Sequence, residues 1–144
     1  MSFMMTIGRL LVQYWPNFIK GAGITMLLAL TGTVSGFVIG LVVQCVRTIP
    51  EKERGFFRFL LKIIKGLLTV YVELFRGTPM MVQACLIYFG APILFGIQLN
   101  KLLAGYLVVT INTGAYMAEI IRGGFDSIDP GQSDGAKALG MNHV

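Results

Sequence analysis

The stretch GAGITMLLALTGTVSGFVIGLVVQCV, residues 21–46, contains no charged side chain. As a helix it would be about 39 Å long, more than the roughly 30 Å apolar core of a lipid bilayer. It therefore predicts a first transmembrane helix over 21–46. Gly32, Gly36 and Gly40 lie four residues apart, on one face of this helix. Glycine is common in membrane helices, but this repeated spacing favours close packing against another helix.

The composition of the whole chain agrees with a membrane location. Of its 144 residues, 55% are hydrophobic and 13% are charged, and the mean hydropathy is +0.73. These values predict an all-α integral membrane protein. The net charge of +5 is then interpreted by position along the chain, and no nucleic-acid partner is expected. The first apolar run starts too late and is too long for a removable signal peptide.

The sequence lacks the residue patterns that are typical of catalytic and metal-binding sites. Cys45 and Cys85 lie within apolar runs without CxxC spacing, and His143 is the only histidine. A disulfide framework, a zinc site and a membrane-embedded hydrolase are therefore not supported. No GxxxxGK[ST] phosphate-binding loop occurs either. We expect a chain that is not itself an enzyme and holds no metal or cofactor.

The segment RTIPEKERGFFRFLLKIIK, residues 47–65, is the most basic loop. The positive-inside rule places it in the cytoplasm, which puts the N-terminus outside. Phe56, Phe57 and Phe59 alternate with basic residues in a way that suits the membrane interface. If the chain crosses the membrane three times, its C-terminal segment, residues 126–144, is cytoplasmic.

The second predicted span, about 77–97, is irregular. Glu73 and Arg76 are three residues apart and can form a structural ion pair at its cytoplasmic edge. Pro79 lacks an N–H group and should kink or restart the helix. Gln83 could line a polar path through the protein, although a membrane amide more often bonds to a neighbouring helix.

The third predicted span, about 102–121, carries polar side chains on one face. Asn112, Tyr116 and Glu119 are spaced at four and three residues. Such groups are unfavourable against lipid and should face the protein interior or a watery cavity, as residues of a substrate pathway would. A local ion pair between Glu119 and Arg122 is the alternative.

The tail has the pattern of a short capped helix. Asp129 suits the N-cap, Pro130 the first helical position and Gln132 a capping box. Gly140 suits a left-handed C-terminal stop. So short a helix is only marginally stable in water, so it should dock against a partner. A frayed surface tail is the alternative.

Three segments resemble one family of membrane proteins. They are GAGITMLLAL, VELFRGTPMMVQACLIYFGAP and INTGAYMAEIIRGGFDSIDPGQSDGAKALGM. They are similar to permease subunits of bacterial ABC importers for polar amino acids, the histidine, glutamine, glutamate and arginine group. The resemblance implies a type I fold of five helices, of which this chain would carry the first three, followed by a cytoplasmic coupling helix. It therefore implies a C-terminally truncated form, which we expect not to transport by itself.

The resemblance also implies function, location and partners. It implies an ATP-driven importer of polar amino acids in the bacterial cell membrane, with ATP bound by separate ATPase subunits. An external solute-binding protein and a second permease subunit, identical or paralogous, would be further partners. The implied ATPase-coupling residues are Asp134, Gly135, Ala136, Leu139 and Gly140. Asp134 replaces the family's Glu and Gly135 one of its Ala residues, the latter weakening the helix by about 1 kcal/mol.

Two alternatives to this function remain open at the level of sequence. One is a permease for another small solute, such as methionine or a phosphorus compound, although such relatives would not be expected to carry ELFRGTPMMVQ. The other is a small channel-like or structural membrane oligomer without ATP coupling, which would need no capped tail.

Overall fold

The computed structural model describes residues 3–50 and 56–140. The elements are α1 (Phe3–Thr48), α2 (Phe56–Gly77), α3 (Met80–Cys85), a π-helical turn (Leu86–Gly90), α4 (Ala91–Phe95), α5 (Lys101–Asp126) and α6 (Pro130–Ala138). No β-strand occurs within these two ranges, so the prediction of an all-α chain is confirmed for them. Part of the predicted basic loop, residues 51–55, and the end of the tail, residues 141–144, lie outside the described residues.

The centre of the fold is the contact between α1 and α5. A Cβ atom placed on each of the three spaced glycines would come within 2.6 Å of a side-chain atom of α5, the pairs being Gly32 with Val109, Gly36 with Thr113, and Gly40 with Met117. Gly114 on α5 is also confined, since its Cβ would lie 2.8 Å from the Tyr71 hydroxyl and 2.9 Å from Ile39. The prediction of close helix packing at these glycines is confirmed, and α5 is the partner.

Helix α1 is longer than the predicted first span. It begins at Phe3 and contains Pro16 without a break, so the span 21–46 lies wholly inside it. The residues of its first half are mostly exposed, whereas Val43 and Gln44 near its end are buried. The part of α1 that packs against other helices is therefore its second half, where the spaced glycines lie.

The chain bends sharply between α2 and α3. Helix α2 and the segment Met80–Phe95 form an angle of 110°. Pro79 stands immediately before α3 with φ −59° and ψ 134°, an extended conformation that cannot continue a helix. The predicted restart at Pro79 is confirmed. Gly96, in a left-handed conformation with φ 68°, ends α4.

Length and apolar composition identify fewer candidate membrane spans among the described residues than the three that the sequence predicts. Within the described ranges, α1 has a 43-residue stretch, Thr6–Thr48, that is long and apolar enough to cross a membrane. The bent pair of α2 with Met80–Phe95 is a second candidate if it counts as one span. Helix α5, which contains the predicted third span, does not meet this criterion. The count of three spans stays a prediction.

Candidate functional site

A polar network closes the bend between α2 and α3. The Gln83 side chain, 5% exposed, donates from Nε2 to the carbonyl oxygens of Phe75 and Thr78 and lies 2.9 Å from each. It also lies 2.9 Å from Thr78 Oγ1. Helix ends leave carbonyl groups without intrahelical partners, and one buried amide satisfies two of them here.

Helix α5 joins the same network through Asn112. Its Nδ2 donates to Gln83 Oε1 at 3.1 Å and to the Phe75 carbonyl at 3.2 Å. The structure thus brings together two of the four predicted pathway residues. For Gln83 the interhelical bond that the sequence favoured is confirmed. A role of either amide in a substrate pathway stays a prediction.

We expect Gln83→Leu to lower stability by about 2 kcal/mol, because it removes the hydrogen bond to the Thr78 carbonyl and the Oε1 acceptor of Asn112. The Phe75 carbonyl keeps its bond from Asn112. Gln98→Leu is the matched control, since Gln98 is exposed and undergoes the same chemical change. Thermal unfolding of both variants in mild detergent would measure the difference. Equal unfolding midpoints would show that the amide does not hold the bend.

A second polar group lies where the last turns of α1 and α2 meet α5. Glu119 Oε2 is 3.6 Å from Arg47 Nη1 and 3.8 Å from Arg76 Nη1. Its Oε1 pairs with Arg122 at 2.5 Å. We call Glu119 with these three arginines the arginine cluster. One carboxylate, 18% exposed, therefore contacts guanidinium groups from three helices.

The predicted ion pair between Glu73 and Arg76 is not formed. Both residues are described, and Arg76 instead reaches across to α5, where it pairs with Glu119 and lies 5.7 Å above the centre of the Tyr116 ring. The physical reason is tertiary. The less exposed carboxylate of Glu119 and an aromatic face together offer a guanidinium more than an exposed neighbour three residues away.

The structure confirms that the three predicted polar residues share one face of α5. Asn112, Tyr116 and Glu119 all face residues of α2 or α3, through Phe75 and Gln83 or through Arg76. The alternative local pair of Glu119 with Arg122 also forms. The local ion pair is therefore confirmed, whereas a role of this face in a substrate pathway stays a prediction.

Arg122 connects the cluster to the end of α5. Its guanidinium pairs with Glu119 on one side and with Asp126 on the other. The hydrogen bond to Glu119, and then the charge of that carboxylate, raise the pKa of Arg122 above its ordinary value. Arg122 therefore stays positively charged at any physiological pH.

Sequence reasoning missed two contributors to this interface. Arg47 enters the cluster from the last turn of α1, and its partner lies 72 positions away, so no local pattern could reveal it. Tyr71 donates its hydroxyl to the Ile111 carbonyl at 2.6 Å, tying α2 to α5. In the sequence, only the position of Tyr71 among the apolar residues of an amphipathic helix indicated such a contact.

The coupling segment has the predicted Asp129 cap, the helix start at Pro130 and the left-handed Gly140, but not the capping box: among the described residues, Gln132 bonds to Asp129 only through the backbone. Asp129 Oδ1 accepts from the Gly131 N–H at 2.7 Å, α6 begins at Pro130, and Gly140 has φ 78°. Leu139, just past α6, is 83% exposed. Of the other candidate coupling residues, Asp134, Gly135 and Gly140 are exposed and Ala136 is half-buried. The structure thus places an exposed, capped helix directly after the arginine cluster.

Within residues 3–50 and 56–140, no three His, Cys, Asp or Glu side chains lie close enough to hold a metal ion. The polar groups that the network and the arginine cluster do bring together are two amides, the Tyr116 ring and ion-paired side chains. These can bind and orient polar molecules or protein partners.

Comparison with known proteins shows which family the chain matches. Residues 55–144 match the model of the binding-protein-dependent transport system inner membrane component. The glutamine transport system permease protein GlnP of Escherichia coli is 35% identical over 128 residues, covering 88% of this chain and 54% of the relative. The arginine transport system permease protein ArtQ of Bacillus subtilis is 32% identical, covering 88% of this chain and 53% of the relative.

A solved structure agrees with these relatives. The crystal structure of an amino acid ABC transporter with histidines matches with a TM-score of 0.79 and 35% identity, over 99% of this chain and 59% of the other. The fold is thus that of a transport permease. The chain belongs to the family of inner membrane components of binding-protein-dependent transport systems. It spans about half the length of the curated relatives it matches, between 53% and 58% of each.

Proposed function

We propose that this chain forms part of the membrane-spanning permease subunit of an ATP-driven importer for polar amino acids. A separate ATPase subunit would bind and hydrolyse ATP, and an external binding protein would deliver the substrate. The relatives named for glutamine and arginine transport support the substrate class. A second permease subunit, identical or paralogous, would complete the path.

The observation that carries this proposal is the exposed helix α6. Nine residues of mostly small side chains form it, and a helix of that length is marginal in water without a partner. Its capped ends fix the conformation, and the exposed Leu139 beside it offers an apolar anchor. Such a helix suits docking into a groove of an ATPase subunit.

The arginine cluster supports a mechanical connection between this helix and the membrane helices. Helix α5 runs from the packed glycine contact through Glu119 and Arg122 to Asp126, and only residues 127–129 separate it from α6. A displacement of α6 by the ATPase would therefore act first on the end of α5. Because α1 and α2 share the Glu119 carboxylate, their ends would be displaced together with it.

The substrate path and the orientation extend the proposal. Asn112, Tyr116, Glu119 and Gln83 remain the candidate path residues, and the polar contacts among α2, α3 and α5 support a polar region at this depth. The basic residues 47–65 support a cytoplasmic position for that loop and for α6, with the N-terminus outside.

The test is purification of the tagged chain from its own membranes in mild detergent, followed by native mass spectrometry. We expect an ATPase subunit to accompany it. The purified complex, placed in liposomes with internal ATP and the cognate binding protein, should take up labelled glutamine, glutamate, histidine or arginine but not leucine. A chain isolated without an ATPase, or only as its own oligomer, would contradict the proposal.

The docking role of α6 makes a sharper prediction. We expect Leu139→Asp to reduce the ATPase recovered with the chain at least about tenfold, because it places a charge at an apolar anchor. Ile128→Asp is the matched control, since Ile128 is also exposed, 52%, but precedes the helix cap. Equal recovery from both variants would show that the ATPase docks elsewhere.

A further inference from the structure

Helix α2 carries an apolar stripe that the rest of the described chain does not cover. Its members recur every three or four residues, so they lie along one side of the helix, and each is between 44% and 80% exposed, the six being Phe56, Phe59, Ile63, Leu67, Val70 and Leu74. The side of α2 that packs on the bundle is different and includes Val72, which is 1% exposed. The apolar stripe therefore takes no part in the core of the described chain.

Basic side chains follow the first half of the same helix. Arg58, Lys62 and Lys65 occur at every third or fourth position, on a side of the helix away from the centre of the apolar stripe. Lys65 donates to the Ile49 carbonyl at 2.6 Å, which joins this half of α2 to the end of α1. An apolar side and a basic side on one helix is the pattern of a helix lying at a lipid surface.

The bend at Pro79 sets the direction of α2. The segment Met80–Phe95 makes an angle of 110° with α2, which is within about 20° of a right angle. If that segment crosses the bilayer as the second span, α2 must lie close to the membrane plane. In that position the apolar stripe can enter the acyl region while the basic side chains stay among the headgroups.

We propose that the first half of α2, residues 56–65, is a binding surface for anionic phospholipid, with the apolar stripe among acyl chains and Lys62 against a lipid phosphate. The occupant is argued from charge: three cations and no anion lie between Phe56 and Lys65, and such clusters attract anionic headgroups. This surface acts independently of which solute the permease moves.

Quenching by brominated lipid tests the surface directly. Trp15 is the only tryptophan, so Trp15→Phe gives a silent background in which Phe59→Trp reports from the apolar stripe. The full chain would be placed in liposomes containing equal fractions of either brominated phosphatidylglycerol or brominated phosphatidylcholine. We expect stronger quenching by the anionic lipid, and less difference between the two lipids as salt rises.

Two further variants separate lipid selectivity from simple exposure. Lys62→Gln in the reporter background should lower the preference for the anionic lipid about fivefold, the effect of one basic side chain near an anionic surface. Leu94→Trp, at a position 75% exposed on α4, should show no preference. Equal quenching at position 59 by both lipids, an unchanged preference in Lys62→Gln, or no quenching at all would overturn the proposal, the last because protein would then cover the apolar stripe.

Discussion

Gly40→Leu is expected to force α1 away from α5 and to lower stability by about 3 kcal/mol or more. Even a Cβ atom at this position would lie 2.6 Å from Met117 Cβ, 2.9 Å from the Ala118 backbone nitrogen and 3.0 Å from the Gly114 carbonyl oxygen. Backbone atoms of a packed helix cannot move aside individually. The two helices must therefore separate, and the contacts of the neighbouring glycines are lost as well.

Thermal unfolding in mild detergent measures this effect, with Gly23→Leu as the control. Gly23 lies on the same helix, and a Cβ atom there meets nothing within 4 Å. Leucine also favours a helix over glycine by up to about 1 kcal/mol, so the control should be neutral or slightly stabilising. Unfolding midpoints that agree within error for the two variants would refute the close contact at Gly40.

The three spaced glycines should not be equally sensitive. At Gly32 the two nearest atoms belong to the Val109 side chain, and the nearest backbone atom is 3.7 Å away. Rotation about χ1 can move Val109 Cγ1 away and relieve the shortest of these contacts, whereas backbone atoms move only together with their helix. The spacing of the glycines in the sequence predicts which face of α1 packs. Only the structure shows that the space for a larger side chain decreases from Gly32 to Gly40.

The difference between a packing face and its partner explains which features of the fold were predictable from the sequence. The glycine spacing, the break at Pro79 and the caps of α6 are local patterns, since each depends on residues within a few turns of one another. They were predictable because local backbone geometry alone requires them. The identity of α5 as the partner of the glycines was not predictable, because spacing gives a face but not its neighbour.

The polar residues were predictable as a set but not as contacts. The spacing of Asn112, Tyr116 and Glu119 predicted one face of α5, and they do share it. Their partners come from α1, α2 and α3, and a local rule even assigned Arg76 to the wrong carboxylate. The partner of a long side chain depends on burial and on charges contributed by other helices. The residue pattern of a single helix contains neither kind of information.

Glu119→Gln is expected to weaken the joint of α1, α2 and α5 by about 2–3 kcal/mol. The substitution leaves Arg47 and Arg76 close together without the carboxylate that both contact. Removing one partner of a buried ion pair is destabilising by about 3–5 kcal/mol, and partial exposure of the cluster reduces that amount through solvent screening. Asp126→Asn is the control, since it breaks only the exposed pair with Arg122 and should change stability by less than about 1 kcal/mol.

A double substitution distinguishes this structural role from a role in the substrate path. Arg76→Gln added to Glu119→Gln removes one of the uncompensated charges, so we expect part of the lost stability to return. In the complete transporter, a joint that transmits motion should lose the maximal rate of uptake while the apparent affinity for substrate stays the same. A path carboxylate would instead change the affinity most for arginine, whose side chain is cationic, and Arg76→Gln would not repair it. Lost affinity without lost stability would therefore assign Glu119 to the path rather than to the joint.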